Sequence, residues 1–477
     1  MPEPVPSRGG RRALMVALAL LAVGATGSPV AQAAEAEPGL RQDFNGDGYE
    51  DLAVAAPHAT VSGKAGAGYV AVLYGSASGL KAASKKVYTQ ASAGIPGTPE
   101  ADDLFGSELT AADLDGDGFS DLVVESGNEQ WEQGGIARQG DRTVLWGASG
   151  GFSSGKVLPA VGSGPYQGGV TVTGDFDGDG HQDLLKPGLV QYGPFGRDGL
   201  PASARTDTEL VDGDIELADF VAGDVDGDGI TDLVTHARSY DPDDEGDRGD
   251  HLLYVRGGRD GLQPPVVLRD PRGERIGAGL SLALGDVNGD HRADIVVGGD
   301  SLDVIDGTAN GPAASRAPRV ITQDSPGVPG VDEPEDAFGY DVSVGDVDGD
   351  GYGDILAGDP YEALDGLKQA GTFAVVPGGP NGPTGAGTKV FGQNSAKVPG
   401  AAEQGDRFGE NTTLVDGDGD GRAEPVVAAI AENAYAGAVW VLRSGAAGAT
   451  ADGSFSFGAG TLGTVADGAR LGDEFPR

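Results

Sequence analysis

The stretch DVDGDGITDLVTHA (residues 224–237) decides how the rest of the chain is read. Acids stand at its first, third and fifth positions, a glycine at the sixth and a fourth acid at the ninth; an apolar, β-like run follows at once. The same pattern, D-x-[DN]-x-D-x-x-x-[DE], recurs as DFNGDGYED (43–51), DLDGDGFSD (113–121), DFDGDGHQD (175–183), DVNGDHRAD (286–294), DVDGDGYGD (346–354) and DGDGDGRAE (416–424). The seven starts lie 70, 62, 49, 62, 60 and 70 residues apart. Recurrence at such a period means one repeat architecture rather than a string of unrelated domains.

Each copy runs into a strand-like segment such as DLAVAAP, DLVVESG, DIVVGG or DILAGDP, and most are followed by a second such as GYVAVLYG or GTFAVVPGG. Turns such as ASGL, RDGL and PNGP close them, with Gly and Asn supplying the conformations that tight turns need. With 85 Gly and 29 Pro and no persistent helical periodicity after the N-terminus, each unit reads as about four short strands. Such a sheet cannot bury both faces alone, whereas radial stacking hides each face against a neighbour. The expected fold is therefore all-β, a seven-bladed β-propeller over residues 41–477. The first copy begins at Asp43 with no strand before it, and the chain ends in GARLGDEF (468–475). This tail is expected to complete the first blade and close the ring. The third unit, DLLKPGLVQYG, reads as truncated.

The loops have the chemistry of a calcium site. Calcium takes six to eight oxygens, and alternate acids in a tight loop aim carboxylates at one centre. The ligands expected are Asp43, Asn45, Asp47 and Asp51; Asp113, Asp115, Asp117 and Asp121; Asp175, Asp177, Asp179 and Asp183; and Asp224, Asp226, Asp228 and Asp232. The remaining loops supply Asp286, Asn288, Asp290 and Asp294; Asp346, Asp348, Asp350 and Asp354; and Asp416, Asp418, Asp420 and Glu424. Position 7 adds a backbone carbonyl, from Tyr49, Phe119, His181, Ile230, Arg292, Tyr352 and Arg422. No Cys or His side chain stands at a ligand position, which argues against zinc and copper. An EF-hand needs Glu at position 12, where this chain has Val54, Val124, Lys186, Thr235, Val297, Ala357 and Val427. The fifth loop, with Asn288 for an acid and His291 for the turn glycine, is expected to be the weakest of up to seven calcium sites.

The net charge of −42, from 74 acidic and 32 basic residues, disfavours nucleic acid and anionic membranes as partners. Arg8, Arg11 and Arg12, the apolar run 13–23 and Ala31-Gln32-Ala33 read as a secretory signal over 1–33, followed by a linker over 34–40. The arginine pair leaves Sec and twin-arginine export open. The apolar run is too short for a membrane span, and with no Cys there are no disulfides to staple an exported chain.

LFGSEL, AFGYDV and RFGENT precede three of the loops, the Asp pattern lies within them, and DLAVAAP-like strands follow. Together these units resemble FG-GAP repeats, which build the propeller at the head of integrin α chains. The resemblance implies that ligands approach the face opposite the calcium loops. There it places the segments 91–103, 324–336, 394–406 and the insert 239–250. It implies a secreted or wall-associated binding or adhesion module, expected to be a monomer, whose partner is an extracellular protein or glycan. The alternatives are a hydrolase or polysaccharide lyase on a propeller scaffold, a chain named by analogy to glycosylphosphatidylinositol phospholipase D, and a structural cell-surface component. No catalytic residue is assigned. The G-x-S-x-G match at 147–151 falls on a turn equivalent to ASGL, and a nucleophile elbow needs strand–turn–helix context. Arg248-Gly249-Asp250 is read as coincidence.

Overall fold

The computed structural model describes residues 42–133, 136–159, 170–206, 215–239, 250–313 and 315–476. The strands form seven antiparallel sheets. Six have four strands in chain order, as in Val342–Gly345, Asp354–Asp359, Thr372–Val376 and Lys389–Phe391, the sixth blade. The first strands of successive blades touch one another, as strands lining a common axis must. The fold is a seven-bladed β-propeller, as the repeats predict.

Stacking explains why a second strand such as Leu52–Ala56 is apolar without interruption. In Leu52–Ala56, Leu52, Val54 and Ala56 face the seventh blade, while Ala53 and Ala55 face the second. Among the described residues there are seven apolar clusters, each shared by two neighbouring blades. Each fully buried Leu, Val or Phe contributes about 1.5–3 kcal/mol to its junction. The FG glycines let blades approach: at Gly409 (φ 94°) a Cβ would lie 2.1 Å from the Thr372 carbonyl oxygen.

The first blade has three strands of its own, Leu52–Ala56, Tyr69–Leu73 and Lys85–Tyr88. The fourth place is taken by the C-terminal tail. Ala55 N–H donates to the Glu474 carbonyl (2.9 Å), and Gly472 N–H to the Ala55 carbonyl (3.0 Å). Asn411, on the first strand of the seventh blade, donates its amide to the carbonyls of Gly472 (2.8 Å) and Asp473 (2.9 Å). Ala469 and Leu471 are fully buried in this seam.

The third unit differs from its reading as truncated. Its blade is complete, with strands Val172–Gly174, Asp183–Lys186, Leu189–Tyr192 and Ser203–Thr206. Only the connection between the second and third strands is short, a two-residue turn with Gly188 at φ 83°. Residues 240–249 of the acidic insert, with Arg248 and Gly249, lie outside the described residues, as does the expected leader.

Candidate metal centre

Six of the Asp loops join the first strand of a blade to the second, and the first loop leads into the equivalent second strand of its blade, so all seven lie at one end of the propeller. The position-1 carboxylate organises the turn. Asp224 accepts the N–H groups of Gly227 (2.7 Å), Asp228 (3.1 Å) and Gly229 (2.8 Å). Asp43, Asp286, Asp346 and Asp416 accept the same three. The turn demands positive φ at position 6, met by glycine in six loops and by His291 (φ 65°) in the fifth. Position 4 has positive φ as well, a requirement the sequence pattern hides because glycine fills it in every copy. At position 5 the carboxylate accepts the position-7 N–H, as Asp350 does from Tyr352 (3.0 Å).

The position-9 acid opens the second strand and is buried in every loop. Asp354 accepts from Val347 N–H (3.0 Å) and Gly378 N–H (2.9 Å), tying the loop to the next turn of its blade. Burial pushes these acids up against the lowering effect of those bonds: to about 6 at Asp232 and Asp354, about 7 at Asp183 and Asp294, and about 8 at Asp51, Asp121 and Glu424. Neighbouring loop carboxylates add to the rise.

In four loops the carboxylates at positions 1, 3 and 9 present oxygens within 4.8 Å of one another: Asp113/Asp115/Asp121, Asp175/Asp177/Asp183, Asp224/Asp226/Asp232 and Asp346/Asp348/Asp354. Position 3 carries a further sign. Buried oxygens of Asn45, Asp115, Asp177 and Asp418 have no hydrogen-bond partner. Orphaned, desolvated oxygens beside other carboxylates fit a cation and fit nothing apolar. An all-oxygen set suits a hard ion.

Arginines, which the sequence pattern does not contain, distinguish the loops. Arg256 spans Asp226 and Asp228, and Arg197, from the third blade, spans Asp115 and Asp117 of the second. Arg443 lies 3.6 Å from Asp418 and 3.9 Å from Glu424. In the fifth loop Asn288 donates its amide to both oxygens of Asp294 (2.9 and 2.8 Å).

The loops are also stitched to one another. Position 8 of one donates its N–H to the position-1 carbonyl of the loop before it: Ser120 to Asp43 (2.9 Å), Thr231 to Asp175 (2.8 Å), Ala293 to Asp224 (2.8 Å), Gly353 to Asp286 (2.7 Å) and Ala423 to Asp346 (2.7 Å). Glu50 to Asp416 (3.3 Å) carries the belt across the seam, and Phe195 to the Leu114 carbonyl (2.8 Å) links the second blade to the third. The turn at Gly147–Gly151 leads into the strand Ser154–Val157, so no helix follows the G-x-S-x-G match.

The FG-GAP repeat family matches residues 40–73, 105–141 and 338–388, which fall in the first, second and sixth blades. Integrin alpha-PS2 of Drosophila melanogaster is 33% identical over 214 residues, 40% of this chain and 15% of that one. Integrin alpha pat-2 of Caenorhabditis elegans is 31% identical over 176 residues, 34% of this chain and 14% of that one. The matches thus cover a small part of those relatives' own length. Among solved structures, rhamnogalacturonan lyase YesW is 13% identical with a TM-score of 0.32, covering 83% of this chain and 85% of that one. The rhamnogalacturonan lyase PL11 of Bacillus licheniformis is 14% identical with a TM-score of 0.29, covering 86% and 75%. Likeness at that level bears on neither substrate nor chemistry. The chain thus carries FG-GAP repeats in those three segments, and part of it is similar to integrin alpha chains.

Proposed function

We propose that this FG-GAP propeller is an exported, calcium-stapled binding or adhesion module without catalytic activity. The observation that carries the reading is the repeated loop, with acids at positions 1, 3 and 9 gathered within 4.8 Å beside orphaned buried oxygens. In each loop the carboxylates (or Asn) at positions 1, 3, 5 and 9 and the position-7 carbonyl would hold the ion. Bound calcium would neutralise acids that burial otherwise forces toward protonation, and so would lock the turn between the first two strands.

Residues 1–33 are proposed as the export leader, 34–40 as a linker, and the propeller from residue 41 as a monomeric extracellular domain. Integrin α relatives support a binding role. No helix among the described residues is long and apolar enough to cross a membrane. The partner is proposed to be an extracellular protein or glycan that meets the end opposite the loops, where 91–103, 324–336 and 394–406 lie.

The test is surface binding of the full exported chain to extracellular-matrix proteins and to neutral and acidic polysaccharides, in calcium and in EDTA. Calcium-dependent binding without turnover is the expected result. Release of unsaturated sugar products from an acidic polysaccharide would overturn the non-enzymatic reading and make the chain a lyase.

A further inference from the structure

The end opposite the Asp loops holds a second repeated constellation. Three connections between the last strand of one blade and the first of the next share the pattern Q-x-S-x-x-[IV]-P-G-x-x-E-x-x-D-x-F-G, at residues 90–106, 323–339 and 393–409. A glutamate always follows 39 residues after the glutamine, at the far end of the next blade's second strand: Glu129, Glu362 and Glu432. The glutamine Nε2 donates to it at 2.8, 2.8 and 2.7 Å. The aspartates of the pattern, Asp103, Asp336 and Asp406, each accept a backbone N–H within the connection, from Glu100, Glu333 and Glu403.

A purely structural staple would account for the Gln–Glu bond. It does not account for the other half of the amide. Gln90, Gln323 and Gln393 are 6, 5 and 2% exposed, and in all three Oε1 is buried without a partner. Turning the amide over would only move the orphan, setting oxygen against carboxylate and leaving the NH₂ unbonded. The same orphan at three equivalent places, each beside two or more half-buried or buried acids, points to something absent that binds oxygen. At the second place Asp336, Asp359 and Glu362 present oxygens within 4.8 Å of one another. At the third, burial raises Glu432 against the lowering hydrogen bond from Gln393, and the charges of Asp406 and Glu403 add to the rise. At the first, burial and then the charges of Asp103, Asp141 and Glu100 push Glu129 up to about 7, against the lowering hydrogen bond from Gln90, while Lys64 acts on Asp103.

We infer that each Gln–Asp–Glu triad is a cation site for a hard divalent ion, calcium, distinct from the Asp loops and bridging two blades at the opposite end. An amide oxygen with two or three carboxylates and no nitrogen or sulfur is the donor set that calcium prefers. The burial of the glutamines suits a bare ion better than a lysine or arginine from a partner. Such ions would brace the segments proposed to meet the partner, while the Asp loops brace the other end.

The decisive comparison is calcium bound per full chain at saturation, by equilibrium dialysis, between the natural sequence and E129Q/E362Q/E432Q. The substituted amides still accept the Gln Nε2 bond, so a mere staple survives them. Loss of three ions per chain with an unchanged circular dichroism spectrum is expected; equal stoichiometry overturns the inference. If the triple variant does not fold, crystals of the natural chain grown in calcium decide by anomalous scattering. Density beside the three glutamines upholds the inference even if the Asp loops are empty, a result that would sink the loop assignment instead. Density in the loops alone overturns it.

Discussion

The fourth and sixth Asp loops, DVDGDGITD and DVDGDGYGD, present the same ligand residues, yet their surroundings set them apart. Both gather the acids at positions 1, 3 and 9 within 4.8 Å, and both position-9 acids accept two backbone N–H groups. The fourth also has Arg256 across Asp226 and Asp228, and the Tyr254 hydroxyl on Asp232 (2.9 Å). Just before the matching glycine, Gly378, the sixth has Pro377, which offers no donor. Affinity for a cation at the proposed site would therefore depend on a residue 24 positions beyond the last acid of the loop, because a guanidinium held there would compete for the same oxygens.

The broadest way to break the comparison is to remove the ion from both loops. An extracellular-type site with a dissociation constant near 10⁻⁴ M stabilises by about 1.4 kcal/mol at millimolar calcium, and seven together by roughly 10 kcal/mol. Melting in EDTA should fall by roughly 10 °C, reversibly; an unchanged transition would make the loops ordinary turns. Next comes the ring that both loops share. Deleting residues 468–477 removes buried Leu471 and Phe475 and the bonds to Ala55, a loss of about 5 kcal/mol. The whole domain should melt about 5 °C lower in one transition; stability equal to the full chain would show that the tail does not close the seam.

Exchanging the distinguishing residue sharpens the comparison itself. Arg256→Met should tighten the fourth site roughly tenfold, about 1.4 kcal/mol, and Pro377→Arg should weaken the sixth by a similar factor. Calorimetric titration of each variant reads both; unchanged affinities would show that the arginine yields freely to calcium. In the same assay Asn288→Asp should strengthen the fifth loop by several-fold, since it removes the amide that occupies Asp294 and adds a charge.

The smallest effect is a shared one. Asp232 and Asp354 both have folded values raised to about 6 from 3.8, chiefly by burial. Without calcium, a raised acid binds its proton more tightly in the folded state, so its contribution is full below pH 4 and is lost as pH rises through 6. Chelated protein should thus melt higher at pH 5 than at pH 8. With calcium the order reverses, because the ion takes the proton's place. The fourth and sixth loops should release calcium over the same window near pH 6, whereas the first, second and seventh, with acids near 8, release it at higher pH. Release of all seven at one pH would show that the belt of backbone bonds, not the local acids, sets the response.

Much of this was legible before any coordinates. The loop pattern carried the blade count and the residues that build each turn, because a tight turn requires fixed spacing. The missing strand before Asp43 and the leftover GARLGDEF pointed to the seam. The third unit misled because a two-residue turn shortens the repeat without removing a strand. The opposite-end triads had a signal in the sequence, Gln, Asp and Glu at constant intervals of 13 and 39 residues, that is visible once the connections are aligned on their P-G pair.

The repeat, its seven copies and the all-oxygen chemistry of its loops are written in residue types at short, rigid spacing. Which arginine reaches which loop, how the backbone belt links loop to loop, and which glutamine meets which glutamate across a blade junction emerge only in the folded ring. Those contacts join residues tens to hundreds of positions apart, as when Arg197 of the third blade enters a loop of the second. Their geometry is set by the stacking of buried faces, a property of the closed ring that no single repeat contains.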